Sequence, residues 1–183
     1  MMKLLVLSNG HGEDLIACKI IKHLQKEVND LTIVCLPLVG EGYSYKKLGI
    51  PIIAPVQSMP SGGFVYMDSQ QLWQDLRSGL IKLSISQYKT IKKWAKKGGC
   101  ILAVGDILPL FFAWLSGANY AFVATAKSEY WLRDERGWLP QTSFLERWWG
   151  SIYYPWERLL MNSSRCQAVF PRDTITTQIL KRY

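Results

Sequence analysis

Strand-length runs that are apolar throughout, helical stretches alternating with them, and a glycine-rich turn where the first run meets the first helix together predict an α/β protein. The expected fold is a Rossmann-like, doubly wound parallel sheet of about six strands. Uniformly apolar strands are buried on both faces, which requires helices above and below the sheet. The 183 residues suit one domain with a sizeable core, and no internal repeat or low-complexity stretch divides them.

The elements follow in order. Residues 3–7 form the first strand, and a helix from Glu13 is expected to bury Leu15, Ile16, Ile20 and Leu24. Residues 31–36 make a second strand and residues 50–54, with Pro51 inside and Pro55 after, a short third. Residues 57–63 read as a loop. A long helix over residues 68–97 carries the stripe Leu72, Leu76, Leu80, Leu83, Ile91 and Trp94, and Gly98 and Gly99 stop it. Strands at 100–104, 120–125 and 167–170 complete the count. A helix over 107–115 lies between the first two of these, and Asp173 or Thr174 caps a last helix.

Composition narrows the partners. Nearly half the residues are apolar and a fifth charged, which excludes a disordered chain, while a net charge of +8 favours phosphates, nucleotides, nucleic acid or an anionic membrane. The basic face of the long helix (Lys82, Lys89, Lys92, Lys93, Lys96, Lys97) is either simply solvated or set against anionic lipid. No basic stripe interleaved with aromatics supports nucleic acid. Cys18, Cys35, Cys100 and Cys166 lack paired spacing and read as reduced, mostly buried thiols; with only His11 and His23 beside them, no metal site is expected. Residues 2–7 are too few for a signal sequence, and residues 107–115, the longest apolar candidate, fall short of a membrane span. The expectation is a cytoplasmic protein, at most peripheral on the inner face of a membrane.

Ligands of a doubly wound sheet bind at the carboxyl ends of its strands. Three loops are expected there: residues 8–12, 105–106 and 125–129. The first departs from the dinucleotide fingerprint, because Leu15 stands where the third glycine belongs and Cys35, Leu36 and Pro37 where an acid belongs. No cofactor is implied. His11 reads either as a loop histidine bonded to backbone or as a general base. Asp106 reads as a helix N-cap or as a partner of His11 in one pocket. Between Ser128 and Trp156 lie five of the eight tryptophans, among alternating acids and bases. They either pack over the sheet or form a surface that grips lipid.

Four stretches, SNGHGEDLIA, VGDILPLFFAW, VATAKSEYW and YPWERLLMNSSRCQAVFPRDTITTQIL, together resemble the lipid A disaccharide synthase-related proteins, a branch of the GT-B glycosyltransferases. The resemblance spans essentially the whole chain and implies the N-terminal, acceptor-side half of a two-domain GT-B fold over residues 1–183, with the donor-binding domain outside it. It implies metal-free transfer of a sugar from a UDP-sugar donor, held by that other domain, to a lipid-linked acceptor. Catalysis would fall to His11 or Asp106, and substrate contact to Asn9, Gly10, Gly12, Glu13, Thr125, Lys127 and Glu129. Lipid or membrane contact would fall to Trp131, Trp138, Trp148 and Trp149. The loop Asn9-Gly10-His11-Gly12-Glu13-Asp14 differs from the Gly-Glu-Ala-Ser-Gly-Asp type of the synthase proper and leaves the acceptor open. Two other classes fit the same residues: a non-catalytic nucleotide- or lipid-binding module, and half of a sugar-nucleotide epimerase.

Overall fold

The computed structural model describes residues 2–56 and 80–183, and the backbone alone of His11 and Leu80. The expected loop at 57–63 and the first turns of the helix expected from residue 68 lie outside the described residues. The elements are β1 (Met2–Ser8), α1 (His11–Glu27), β2 (Leu31–Pro37), α2 (Tyr43–Lys47), α3 (Leu80–Ala95), β3 (Cys100–Gly105), α4 (Ile107–Ser116) and β4 (Asn119–Ala124). A 3-10 turn (Glu129–Trp131) follows, then β5 (Arg133–Asp134), β6 (Gly137–Trp138), α5 (Phe144–Trp149), α6 (Pro155–Met161), β7 (Cys166–Phe170) and α7 (Thr174–Leu180).

The main sheet has five strands in the order β2-β1-β3-β4-β7, every neighbour pair parallel, as a doubly wound fold requires. The expected third strand at 50–54 is reduced to one bridge, Ile52 to Cys35 beside β2, so the sheet has five strands and not six. Two hydrogen bonds hold it, Cys35 N–H to the Pro51 carbonyl at 2.9 Å and Ile53 N–H to the Cys35 carbonyl at 3.1 Å. Pro51 and Pro55 supply no N–H to extend the ladder, so pairing ends after one residue.

Helices cover the two faces unequally. On one face α1 and α2 pack Ala17, Cys18, Ile21 and Tyr45 against Val6, Leu102 and Val104. On the other, Ile91 of α3, Leu110 and Phe112 of α4 and Leu160 of α6 pack against Leu5, Leu7, Ala103 and Phe122. Within α3 the expected stripe holds for Leu83 and Ile91, and Gln87 joins it, donating to the Leu38 and Pro55 carbonyls at 3.2 and 3.3 Å. All six expected lysines on this helix and the turn after it are exposed.

The inward face of α1 differs from the expectation. Leu15 and Ile16 are 58% and 38% exposed, while Asp14, Ala17, Cys18 and Ile21 point inward at i, i+3, i+4, i+7 spacing. An acid takes the first inward position because it is bonded there. Ser8 Oγ donates to Asp14 Oδ1 at 2.6 Å, and Tyr45 OH donates to Ser8 Oγ at 2.7 Å, so one buried chain of polar groups joins β1, α1 and α2. Of the cysteines, Cys18 and Cys35 are buried, Cys166 is half-buried and Cys100 is exposed; all four are free thiols.

Candidate functional site

The strand order reverses between β1 and β3, and the parallel register sets the ends of the strands side by side, with Ser8 opposite Val104 and Gly105 opposite Ala124. The three expected loops therefore share the carboxyl edge, and the turn after β1 and Asp106 flank the switch point. Gly10, with φ of 129°, caps α1 in a conformation that side chains avoid, and its carbonyl accepts the Asp14 N–H at 2.8 Å. Gly105, at φ 137°, is required twice over: a Cβ there would lie 3.2 Å from Glu13 Cγ and 3.3 Å from Asn9 Cβ. Asn9, Glu13 and Gly105 are thus packed together. Gly12 faces open space, with nothing within 4 Å of an added Cβ, so packing does not demand a glycine there.

Asn9 is 5% exposed, and its buried Oδ1 has no hydrogen-bond partner among the described residues. A buried acceptor left without a donor costs about 1–3 kcal/mol, which a bound hydroxyl or amine group would return. Glu13 Oε1 accepts from Thr125 Oγ1 at 3.3 Å, and the Thr125 N–H bonds to the Gly105 carbonyl at 3.0 Å, tying β3, β4 and α1 at this edge. Asp106 caps α4, its Oδ1 accepting the Leu108 N–H at 2.9 Å. Burial pushes its carboxyl above the ordinary value; the Leu108 N–H pulls it back, Glu13 raises it further and Lys127 lowers it. Asp106 thus caps α4, the first of its two sequence readings, at the carboxyl edge of the sheet. His11 takes the first position of α1, next to Gly10.

Lys127 and Glu129 occupy different ground. Lys127 Nζ is held by both Glu157 oxygens at 2.7 and 2.6 Å and lies over the Tyr154 ring at 4.6 Å. With Asp106 and Tyr153 this pair lines a small hollow under the crevice. Glu129 is fully buried. Its carboxylate accepts from Ser151 Oγ and from the Ile152 N–H at 2.9 Å and pairs with Arg133 Nε at 2.9 Å, so it staples the excursion after β4 to itself. Asn9, Gly10, Gly12, Glu13, Asp106 and Thr125 gather at one edge; Lys127 borders it; Glu129 is enclosed.

The aromatic segment divides between the two roles left open for it. Tyr153 is buried against the sheet, with its hydroxyl pushed well above the ordinary value by burial. Phe144, Leu145 and Trp148 on α5 are 81%, 60% and 73% exposed, and Trp156 and Leu159 on α6 are also exposed. Trp149 meets Tyr154 edge-on at 4.7 Å, which in turn stacks on Trp156. Of the other tryptophans named for lipid contact, Trp131 is 47% exposed, whereas Trp138 is half-buried under the Arg133 guanidinium at 3.6 Å.

Sequence reasoning missed Ser8, Tyr45, Tyr153 and Glu157. Only Glu157 left a local signal: Tyr154-Pro155-Trp156-Glu157 places proline at the first helical position and an acid two residues later, where its carboxylate accepts the Tyr154 N–H at 2.7 Å. Among the described residues no group of histidine, cysteine and acid side chains could hold a metal ion, and no helix is long and apolar enough to cross a membrane. No family model, curated protein or solved structure matches this chain.

Proposed function

We propose that this chain is the acceptor-side domain of a GT-B-type glycosyltransferase that moves a sugar from a UDP-sugar to a lipid-linked acceptor. The observation that carries the reading is the switch-point edge, where the unpartnered acceptor of Asn9 and the buried carboxyl of Asp106 follow the ends of the neighbouring strands β1 and β3. A hydroxyl entering there finds one group to receive its hydrogen bond and another able to take its proton. In this reading the departing nucleoside diphosphate is stabilised by groups of a second, donor-binding domain. Residues 1–183 alone are expected to leave UDP-sugars and lipid-linked acceptors unreacted, and a two-domain protein carrying this chain is expected to join them. Turnover by the chain alone would place the donor site within it and end the half-enzyme reading. Failure of the two-domain protein across a panel of UDP-sugars would end the transferase reading.

The lipid part of the proposal draws on the exposed Phe144, Leu145 and Trp148 and on the net charge of +8, features that together suit an anionic bilayer surface. The chain is expected to float with vesicles containing phosphatidylglycerol, and Trp148→Ala combined with Trp149→Ala to lose most of that binding. Vesicles that do not retain the chain, or retain the double variant equally, would leave these aromatics a packing role only.

A further inference from the structure

Under the carboxyl edge, the loop after β4 and helix α6 bring a charged pair to the wall of a hollow that Asp106 also lines, between the apolar side chains of Leu110 and Phe122. Lys127 Nζ donates to both Glu157 oxygens, at 2.7 and 2.6 Å, and the Glu157 side chain is only 3% exposed. The ammonium is confined on its other sides as well. The Tyr154 and Tyr153 ring centres lie 4.6 and 5.5 Å from it, and the Ile152 carbonyl accepts from it at 3.5 Å. Glu157 is fixed in turn by the Tyr154 N–H at 2.7 Å, and the Tyr153 hydroxyl donates to the Lys127 carbonyl at 3.5 Å. The pair is set in place by α6 and the residues just before it.

Stability does not account for such a pair, because replacing a buried ion pair by apolar groups of similar volume is often neutral or stabilising. What a fixed, buried charge does is act on its ionisable neighbours, and apolar walls leave that action weakly screened. The neighbour here is Asp106. Glu13 faces it from α1, Lys127 from the loop after β4, and Glu157 with Tyr153 from α6 and the turn before it. Burial and Glu13 favour the neutral carboxyl, and Lys127 favours the charged one. Among the charged side chains of the described residues that act on Asp106, Lys127 is the one that opposes burial. The balance bears on chemistry, since a protonated carboxyl cannot take a proton from a hydroxyl.

We propose that Lys127 is a positioning residue for Asp106: clamped by Glu157, it keeps that carboxyl charged and able to receive a proton, while Glu157 limits how strongly it does so. The inference rests on the acceptor-side reading above, in which Asp106 takes the proton, and gives Lys127 a task in place of substrate contact. The charge on Asp106 is read in the chain alone, without transfer, so failure of the transferase reading would leave this result standing.

The experiment is a pH titration of residues 1–183 carrying isotope-labelled aspartate, followed by NMR, with the Asp106 carboxyl signal assigned by its loss in Asp106→Asn. Lys127→Gln is expected to move the Asp106 midpoint up by about half a pH unit or more, and Lys127→Arg to hold it near the parent. Glu157→Gln is expected to move it down by a smaller amount, because the ammonium is then no longer offset. A brace with no electrostatic task would be broken alike by both glutamines and would shift Asp106 in one direction. Removing one partner of a buried pair can unfold a chain, so the double variant, Lys127→Gln with Glu157→Gln, is measured as well; it leaves no lone charge. Its midpoint is expected above the parent, since Lys127 acts on Asp106 more strongly than Glu157 does. A midpoint unchanged in the double variant, or moved the same way by both single variants, overturns the proposal. So does Lys127→Arg titrating like Lys127→Gln.

Discussion

Glu129→Ala is expected to lower the stability of the fold by about 3–5 kcal/mol, the usual cost of removing one partner of a buried ion pair. The carboxylate has no exposure, and its loss leaves the Arg133 guanidinium, 12% exposed, without a counter-charge. It also strips an acceptor from Ser151 Oγ and from the Ile152 N–H. Arg133 keeps its bond to the Gly150 carbonyl at 2.6 Å and its stack on Trp138, neither of which neutralises it. Urea unfolding checks the size of the loss, read as a fall in midpoint at constant slope. Adding Arg133→Met to Glu129→Leu should recover much of it, because the uncompensated charge is then gone as well. A single variant within about 1 kcal/mol of the parent would mean that the pair is far better solvated than its burial indicates.

Asp106→Asn is expected to cost a two-domain enzyme carrying this chain about 10²–10⁴ in rate, the typical contribution of a positioned general base. His11→Ala belongs in the same experiment, since the sequence reading leaves either residue as the base. If both variants turned over at nearly the parent rate, neither would be the base. Stability should move the other way. Asparagine also caps helices, so the Leu108 N–H keeps an acceptor. Burial holds the Asp106 carboxyl above its ordinary value, so the folded state favours its protonated form. Its contribution to stability is therefore full below the ordinary carboxylate range and is lost as pH rises through the raised value. Asn does not titrate, so unfolding midpoints from pH 4 to pH 7 should fall less in the variant than in the parent. At neutral pH the variant should be at least as stable. A variant that is less stable at pH 7 yet fully active would show that Asp106 is a cap and nothing more.

Much of this fold was legible because it rests on local signals. The apolar runs of β1, β3 and β4 announce strands buried on both faces, Asp106 and Asp173 announce helix starts, and Gly10 marks the turn into α1. The strand at 50–54 was not decided locally. Its residues are apolar enough, but whether a strand pairs along its length depends on N–H groups that its prolines cannot supply to β2. Periodicity likewise could not reveal that Asp14 faces inward while Leu15 and Ile16 face out. The inward position is stabilised by Ser8 and Tyr45, the latter thirty-one residues later in the chain, and the face beneath Ile16 is open because the chain after β4 crosses to the other side of the sheet. The candidate site divides in the same way. The sequence by itself determined which loops reach the carboxyl edge, since a parallel sheet with short strand-end turns leaves them nowhere else. Only the tertiary structure decided that Glu129 is enclosed by Arg133 and Ser151, that Lys127 is held by Glu157, and that Arg172 borders a cavity with Glu13. Except for Glu129 and Arg133, which are four residues apart, those pairings join residues distant in sequence, and burial, charge and distance act on them only after the strands have been set side by side.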